Sequence, residues 1–183
     1  MRKLMWVLAW MTSFLLVAGG ATFAAVLPTT TTTQTATSKI VSTSTYLTPG
    51  PSTTLQTRPA GSAGSGCTVT STLKVNMNGL TATSMDFGGS MECSQTMPEI
   101  SLKPNLQWCP ITANCSQSSA SWVTEDGPPS TDVFYTTGLN IGLYPYSSPS
   151  PGYWRNALQW QLVWPGGSDT RGTEYSGNAY VDF

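Results

Sequence analysis

The chain contains no histidine, so its carboxylates are the first candidates for acid–base work. Histidine is the usual general base near neutral pH and the commonest metal ligand. The nine carboxylates are Asp86, Glu92, Glu99, Glu125, Asp126, Asp132, Asp169, Glu174 and Asp182. A glycoside hydrolase needs two of them opposed across the scissile bond. Here nearly all fall beside turns or on outward strand positions, the usual place for solvated charges. A Ser or Cys nucleophile needs a positioned base, and the sequence offers none. Glu125, Asp126 and Asp132 carry oxygen ligands of the kind that hold Ca²⁺, although a plain acidic loop explains them more simply. No catalytic, cofactor-binding or metal-binding residue is therefore assigned, and no cofactor is expected. Asn114-Cys115-Ser116 matches the N-glycosylation triplet, a short motif with a cysteine in its middle.

Cys67, Cys93, Cys109 and Cys115 are the remaining reactive side chains. An even count behind an export signal implies two disulfides. Of three possible pairings, hairpin geometry through Asn78-Gly79 favours Cys67–Cys93, once a bulge is allowed. That leaves Cys109–Cys115 to close the loop CPITANC. Cys93–Cys109 is disfavoured, because a turn near Met97 places Cys93 opposite Ile100. A zinc site is a poor fit without CxxC spacing or histidine. Among the aromatics, Trp122, Tyr144, Tyr146 and Tyr153 fall in or beside loops and are candidates for stacking on a ligand. Their alternative role is to pack those loops onto the core.

Strands must position these groups. Charged residues make up 9% of the chain, against about 25% in an average soluble protein. A formal net charge of −1 supplies no basic field for a nucleic-acid backbone. Residues 1–24 read as a signal peptide: Arg2 and Lys3 precede the apolar run Leu4–Ala18, and small residues permit cleavage after about Ala24. An uncleaved anchor is the alternative, since Leu4–Leu27 is long enough to cross a bilayer. Membrane association follows only in that case. Either way the rest of the chain is exported.

Residues 25–66 read as a disordered stalk. From Pro28 to Gly66 the sequence holds thirteen Thr, six Ser and four Pro, with Lys39 and Arg58 its only charges. Such a segment buries too little apolar surface to offset its ordering entropy. Its composition resembles that of glycosylated stalks; a passive leader without sugars fits equally. Lys39–Leu47 is strand-like, and two partners suit it: the head domain or a neighbouring subunit's sheet edge.

Residues 67–183 read as an all-β head of about seven strands. Cys67, Val69, Leu73, Val75 and Met77 alternate with polar residues. Asn78-Gly79 predicts a tight hairpin, and Gly88-Gly89 a bulge in the strand Leu80–Cys93. Pro98–Cys109 forms a further strand, at an edge because of Pro104. A short strand covers Ser119–Thr124. Val133, Tyr135, Leu139, Ile141 and Leu143 share one face, followed by the loop YPYSSPSPG. Trp154, Leu158, Trp160, Leu162 and Trp164 face inward on Tyr153–Trp164, with Arg155, Gln159 and Gln161 outward. A last strand, Thr173–Phe183, turns Tyr175, Ala179, Val181 and Phe183 inward. One-sided strands hide their apolar faces by stacking two sheets. An immunoglobulin-like antiparallel β-sandwich fits the count and spacing; a jelly roll or an open barrel also fits.

The closing segment GYWRNALQWQLVWPGGSDTRGTEYSGNAYVDF, behind the paired-cysteine strands, resembles small secreted immunoglobulin-like β-sandwich proteins of Gram-positive bacteria, of actinobacterial type. There a G-x-Y/W-R strand leads to a W-P-[DG]-G turn and a closing strand. The resemblance implies fold and compartment, and carries over no functional residue. Three functions follow as expectations. The first is a non-catalytic secreted or cell-surface interaction module, whose partner is a protein or a cell-wall or glycan component. The second is a carbohydrate-binding domain using the loop aromatics. The third is a filament or pilus subunit assembling by β-strand addition.

Overall fold

The structure is a computed structural model, and it describes residues 28–35, 37–49, 65–116 and 118–182. The expected signal peptide, residues 25–27, 36 and 50–64 of the expected stalk, and Phe183 of the last expected strand lie outside the described residues. Ten strands form: β1 (Thr29–Gln34), β2 (Ser38–Leu47), β3 (Cys67–Asn78), β4 (Thr81–Lys103), β5 (Leu106–Cys109), β6 (Val123–Asp126), β7 (Thr131–Ser147), β8 (Gly152–Val163), β9 (Asp169–Tyr175) and β10 (Ala179–Val181). The described residues contain no helix, so none is long and apolar enough to cross a membrane.

Every ladder is antiparallel. Neighbours run β1–β2–β3–β4–β8–β5–β6, with β7 added to β4 and with β9 and β10 added to β8. The long strands β4 and β8 each serve two neighbourhoods. The first half of β4 pairs with β3, and its end, Glu99–Lys103, pairs with Gln159–Val163 of β8. The start of β8 pairs instead with β5 and β10. The sheet folds back at these strands, so that β2–β4 pack their inner face on β5, β8 and β10. Val41, Leu73, Val75 and Phe87 meet Leu106, Trp154 and Val181 in one cluster. Leu47, Val69 and Met91 meet Leu158, Leu162 and Trp164 in a second.

A polar bridge lies between the clusters. On the inner face of β3, fully buried Ser71 interrupts the apolar row. Opposite it on β8 stands Asn156, whose Nδ2 donates to Ser71 Oγ at 3.0 Å and to the Gly88 carbonyl at 2.6 Å. Its main-chain N–H donates to Ser176 Oγ at 3.0 Å. Buried polar groups need such partners. Here they fix β8 against β3 and β4 at one register.

Several sequence expectations meet a different structure. Ten strands replace seven, and two of the extra ones lie in the predicted stalk. β2 pairs with β3 along its whole length, from Ser38↔Asn76 to Leu47↔Cys67. Its inner row, Val41, Thr43, Thr45 and Leu47, is buried. Threonine is β-branched and suits a strand; apolar content alone understates what such a segment can bury. The strand-like patch thus sits on the chain's own sheet.

The turn expected near Met97 is absent. β4 runs through it, and the ladder to β7 shifts register between Glu92 and Met97 instead. Pro104 ends β4 rather than marking an edge, and β5 lies between β8 and β6. On β7 the inward parity changes at Gly142, whose φ is +69°. Leu139 and Ile141 pack inward before it, Tyr144 and Tyr146 after it. One extra residue sends every later side chain to the other face. Leu143, expected inside, is therefore exposed; Tyr135, also expected inside, is exposed before that point, with a φ of +51° beside the register shift opposite Glu92–Met97. The last predicted strand is split into β9 and β10 by Ser176–Asn178, where buried Ser176 hydrogen-bonds Asn156 and Gly177 has a φ of +81°.

Candidate functional site

A cleft of about 540 Å³ opens between β2 and the β9 side of the fold. Thr43, Thr45 and Leu47 of β2 form one wall, with Thr30 of β1 reaching Thr43 through a 2.9 Å hydroxyl contact. Glu174 and Tyr175 of β9, Trp160 and Arg155 of β8, and Asn178 form the other.

Two buried charged residues stand in that second wall. Arg155 is 3% exposed and Glu174 is 8% exposed. The Arg155 guanidinium lies 4.0 Å from the Trp122 ring and 4.1 Å from the Tyr175 ring. Its Nε donates to Gln107 Oε1 at 2.8 Å. Burial lowers its pKa below the ordinary arginine value, and the Tyr175 phenol opposes that shift. The group stays cationic, as arginine does in proteins. Burial raises the Glu174 carboxyl above its ordinary value, and a hydrogen bond with Thr45 partly offsets this. Trp122 is held in turn, since its Nε1 donates to the Ser116 carbonyl at 2.8 Å. The Cys109–Cys115 disulfide closes the same loop, and Asn178 Nδ2 reaches the Cys115 carbonyl at 3.3 Å.

A second depression, of about 440 Å³, shares Trp160, Gly172 and Thr173 with the first. Ser101, Lys103 and Gln161 line its far side. Trp160 and Gly172 are cross-strand partners. A Cβ at residue 172 would strike the indole ring, so this close approach requires glycine. Glu174 is the one carboxylate lining either depression among the described residues. The opposed pair that a glycosidase uses is not formed by them.

Both expected disulfides form, Cys67–Cys93 and Cys109–Cys115. Cys67 and Cys93 stand directly opposite each other in the β3–β4 ladder. Each of the four stacking candidates has a ring or a cation beside it. Trp122 lies on Arg155 beside the cleft. Tyr144 leans on Phe87, with centroids 6.1 Å apart, and Tyr146 on Trp154, at 5.5 Å. These two tyrosines belong to β7 rather than to a loop. Tyr153 pairs with Tyr180 at 5.1 Å. No group of three or more Cys, Asp or Glu side chains that could hold a metal ion comes together among the described residues.

Sequence reasoning missed Arg155, Glu174 and Trp160. Arg155 was expected outside, but the rings of Trp122 and Tyr175 cover it. Glu174 was expected among solvated charges, but it faces Thr45 across the fold. Trp160 was expected in the core, and it is half-buried at the junction of the two depressions. The available signal was Gly172, a glycine inside a strand, which marks a close approach. Comparison with protein-family models, curated proteins and solved structures finds no match.

Proposed function

We propose that this chain is a non-catalytic binding module, secreted or held at the cell surface, and that its ligand seat is the cleft between β2 and β9. One observation carries the reading: a buried arginine and a buried carboxyl line the same concave space. Burying charge is costly, and the apolar clusters elsewhere do not require it. Fixed polar groups in a concave site are what ligand recognition uses. The rings on Arg155 and the tied loop behind Trp122 support pre-organisation.

Export is supported by the basic and apolar start of the sequence and by the two disulfides, which favour an oxidising compartment. The all-β antiparallel architecture and its two facing apolar clusters support an immunoglobulin-like sandwich, in keeping with the resemblance in the closing segment.

The test is capture by cell envelopes. The purified protein is incubated with envelope fractions beside a Thr173→Trp variant. Thr173 is an exposed lining residue, so the bulky ring blocks the site and leaves the core alone. Retention of the parent and its loss in the variant are expected. Equal retention of both proteins, or none of either, refutes the reading.

A further inference from the structure

Trp160 stands where two hollows meet, and together they make one track. The hollows measure about 540 and 440 Å³, each the size of a small-molecule site. Joined end to end across an indole, they suit an extended ligand better than a compact one. Their chemistry is alike on both sides. Apolar surface is the larger share of both linings, and hydroxyls and amides supply most of the polar atoms, with Thr45 and Asn178 in the first hollow and Ser101 and Gln161 in the second. Arginine, lysine and glutamate contribute a few directed charges of both signs. The apolar component is chiefly aromatic.

A ligand for this track offers hydroxyls in several directions along its length and an apolar face to a ring. A nucleic-acid strand is a poor match, because the chain's net charge is −1 and phosphate binding needs a basic groove. A peptide that extends the ladder at the edge strand β9 uses main-chain groups, and the hydroxyl-bearing side chains of the lining add little to that. A chain of sugar rings matches both demands. Its C–H faces pack on indole, and its hydroxyls pair with Thr, Asn, Gln and Arg. Sites built to pair hydroxyls discriminate strongly, because an unpaired polar wall is penalised.

We infer that the protein binds a linear oligosaccharide, with one ring on Trp160 and its neighbours in the hollows on either side. This rests on the binding-module reading and names the ligand class. Trp160 is the platform, and Gly172 permits its placement.

Titration of the full protein with chito-oligosaccharides (neutral) and oligogalacturonides (acidic), followed by calorimetry and tryptophan fluorescence, tests the assignment. Affinity in one series rises by about tenfold between two and four rings, about 1.4 kcal/mol, as the second hollow fills. Trp160→Ala lowers it by a similar factor. Should that variant fold poorly by circular dichroism, Lys103→Ala/Gln161→Ala, on half-exposed side chains, removes the length dependence and keeps binding of the short ligand. Absence of binding by both series overturns the assignment, as does affinity indifferent to length, or preferential capture of casein peptides. If envelope capture is then still abolished by Thr173→Trp, only the glycan assignment falls. If capture is also indifferent to that variant, both readings fall.

Discussion

Asn156→Ala is the most informative single change to the fold. The amide bridges two apolar clusters, donating to Ser71 Oγ at 3.0 Å and to the Gly88 carbonyl at 2.6 Å. Truncation strips this donor from two buried acceptors. Ser71 Oγ still donates to the Asn156 carbonyl at 3.2 Å, so most of the loss falls on Gly88. An acceptor left without its donor costs about 1–3 kcal/mol, and the space left by the amide adds to that. Against this, Asn156 Oδ1 is buried without a partner, and removing it recovers part of the cost. The balance is a destabilisation of about 2 kcal/mol, or about 4–8 °C in Tm for a chain of this size. Urea unfolding followed by tryptophan fluorescence measures it, with an unchanged m-value showing that stability alone has moved. Ser71→Ala alone costs less, because Asn156 keeps Gly88, and the double mutant falls short of the sum. A loss within about 0.5 kcal/mol, the range of an ordinary surface change, refutes the view that this bridge holds the layers in register.

Two further predictions concern the cleft and the cross-links. Burial raises the Glu174 carboxyl above its ordinary 4.5, so the folded state holds that proton more tightly than the unfolded chain. Stability is then greatest below the ordinary value and falls as pH climbs from there through the raised one. Glu174→Gln removes this slope: urea midpoints of variant and parent agree near about pH 4, and the variant is the more stable near about pH 7. An opposite ordering at neutral pH refutes the buried assignment. The disulfides span 26 and 6 residues, and chain entropy makes the longer loop worth about 3.5 kcal/mol and the shorter about 2. Paired Cys→Ser variants compared by denaturation test that order. Only the Cys109–Cys115 variant also changes the emission of Trp122, because Ser116, next to Cys115, accepts the hydrogen bond of that indole.

What the sequence made legible was local. Cys67 to Val75 alternates cleanly, and β3 follows it with both faces as expected. Asn78-Gly79 turns the chain, with Gly79 at a φ of +65°, and the facing cysteines follow from that hairpin. What was not legible came from irregularities that bend a strand without ending it. Gly88-Gly89 is the bulge in β4 that the glycine pair predicts, but the second register shift, before Met97, reads locally as a turn. Gly142 changes the parity of β7, which no count of alternating residues anticipates. The candidate site was the least legible part. Thr45 and Glu174 lie far apart in sequence and meet only when the sheet folds back, so neither carries a local sign of the other.

The threonines join these two failures. The same Thr-rich composition that reads as a structureless stalk provides the strand β2 and one wall of the cleft. On the inner face of β2 the order is Val41, Thr43, Thr45, Leu47, all buried. Valine is close in shape to threonine and, without a hydroxyl, needs no partner. Hydroxyls there are kept at the cost of desolvation, and each has found a partner, Thr43 in Thr30 and Thr45 in Glu174. Where Val41 and Leu47 join the apolar clusters, the two threonines between them line the cleft. The pattern thus divides the work along one strand: its apolar residues hold β2 to the fold, and its central hydroxyls line the cleft that Arg155 also lines.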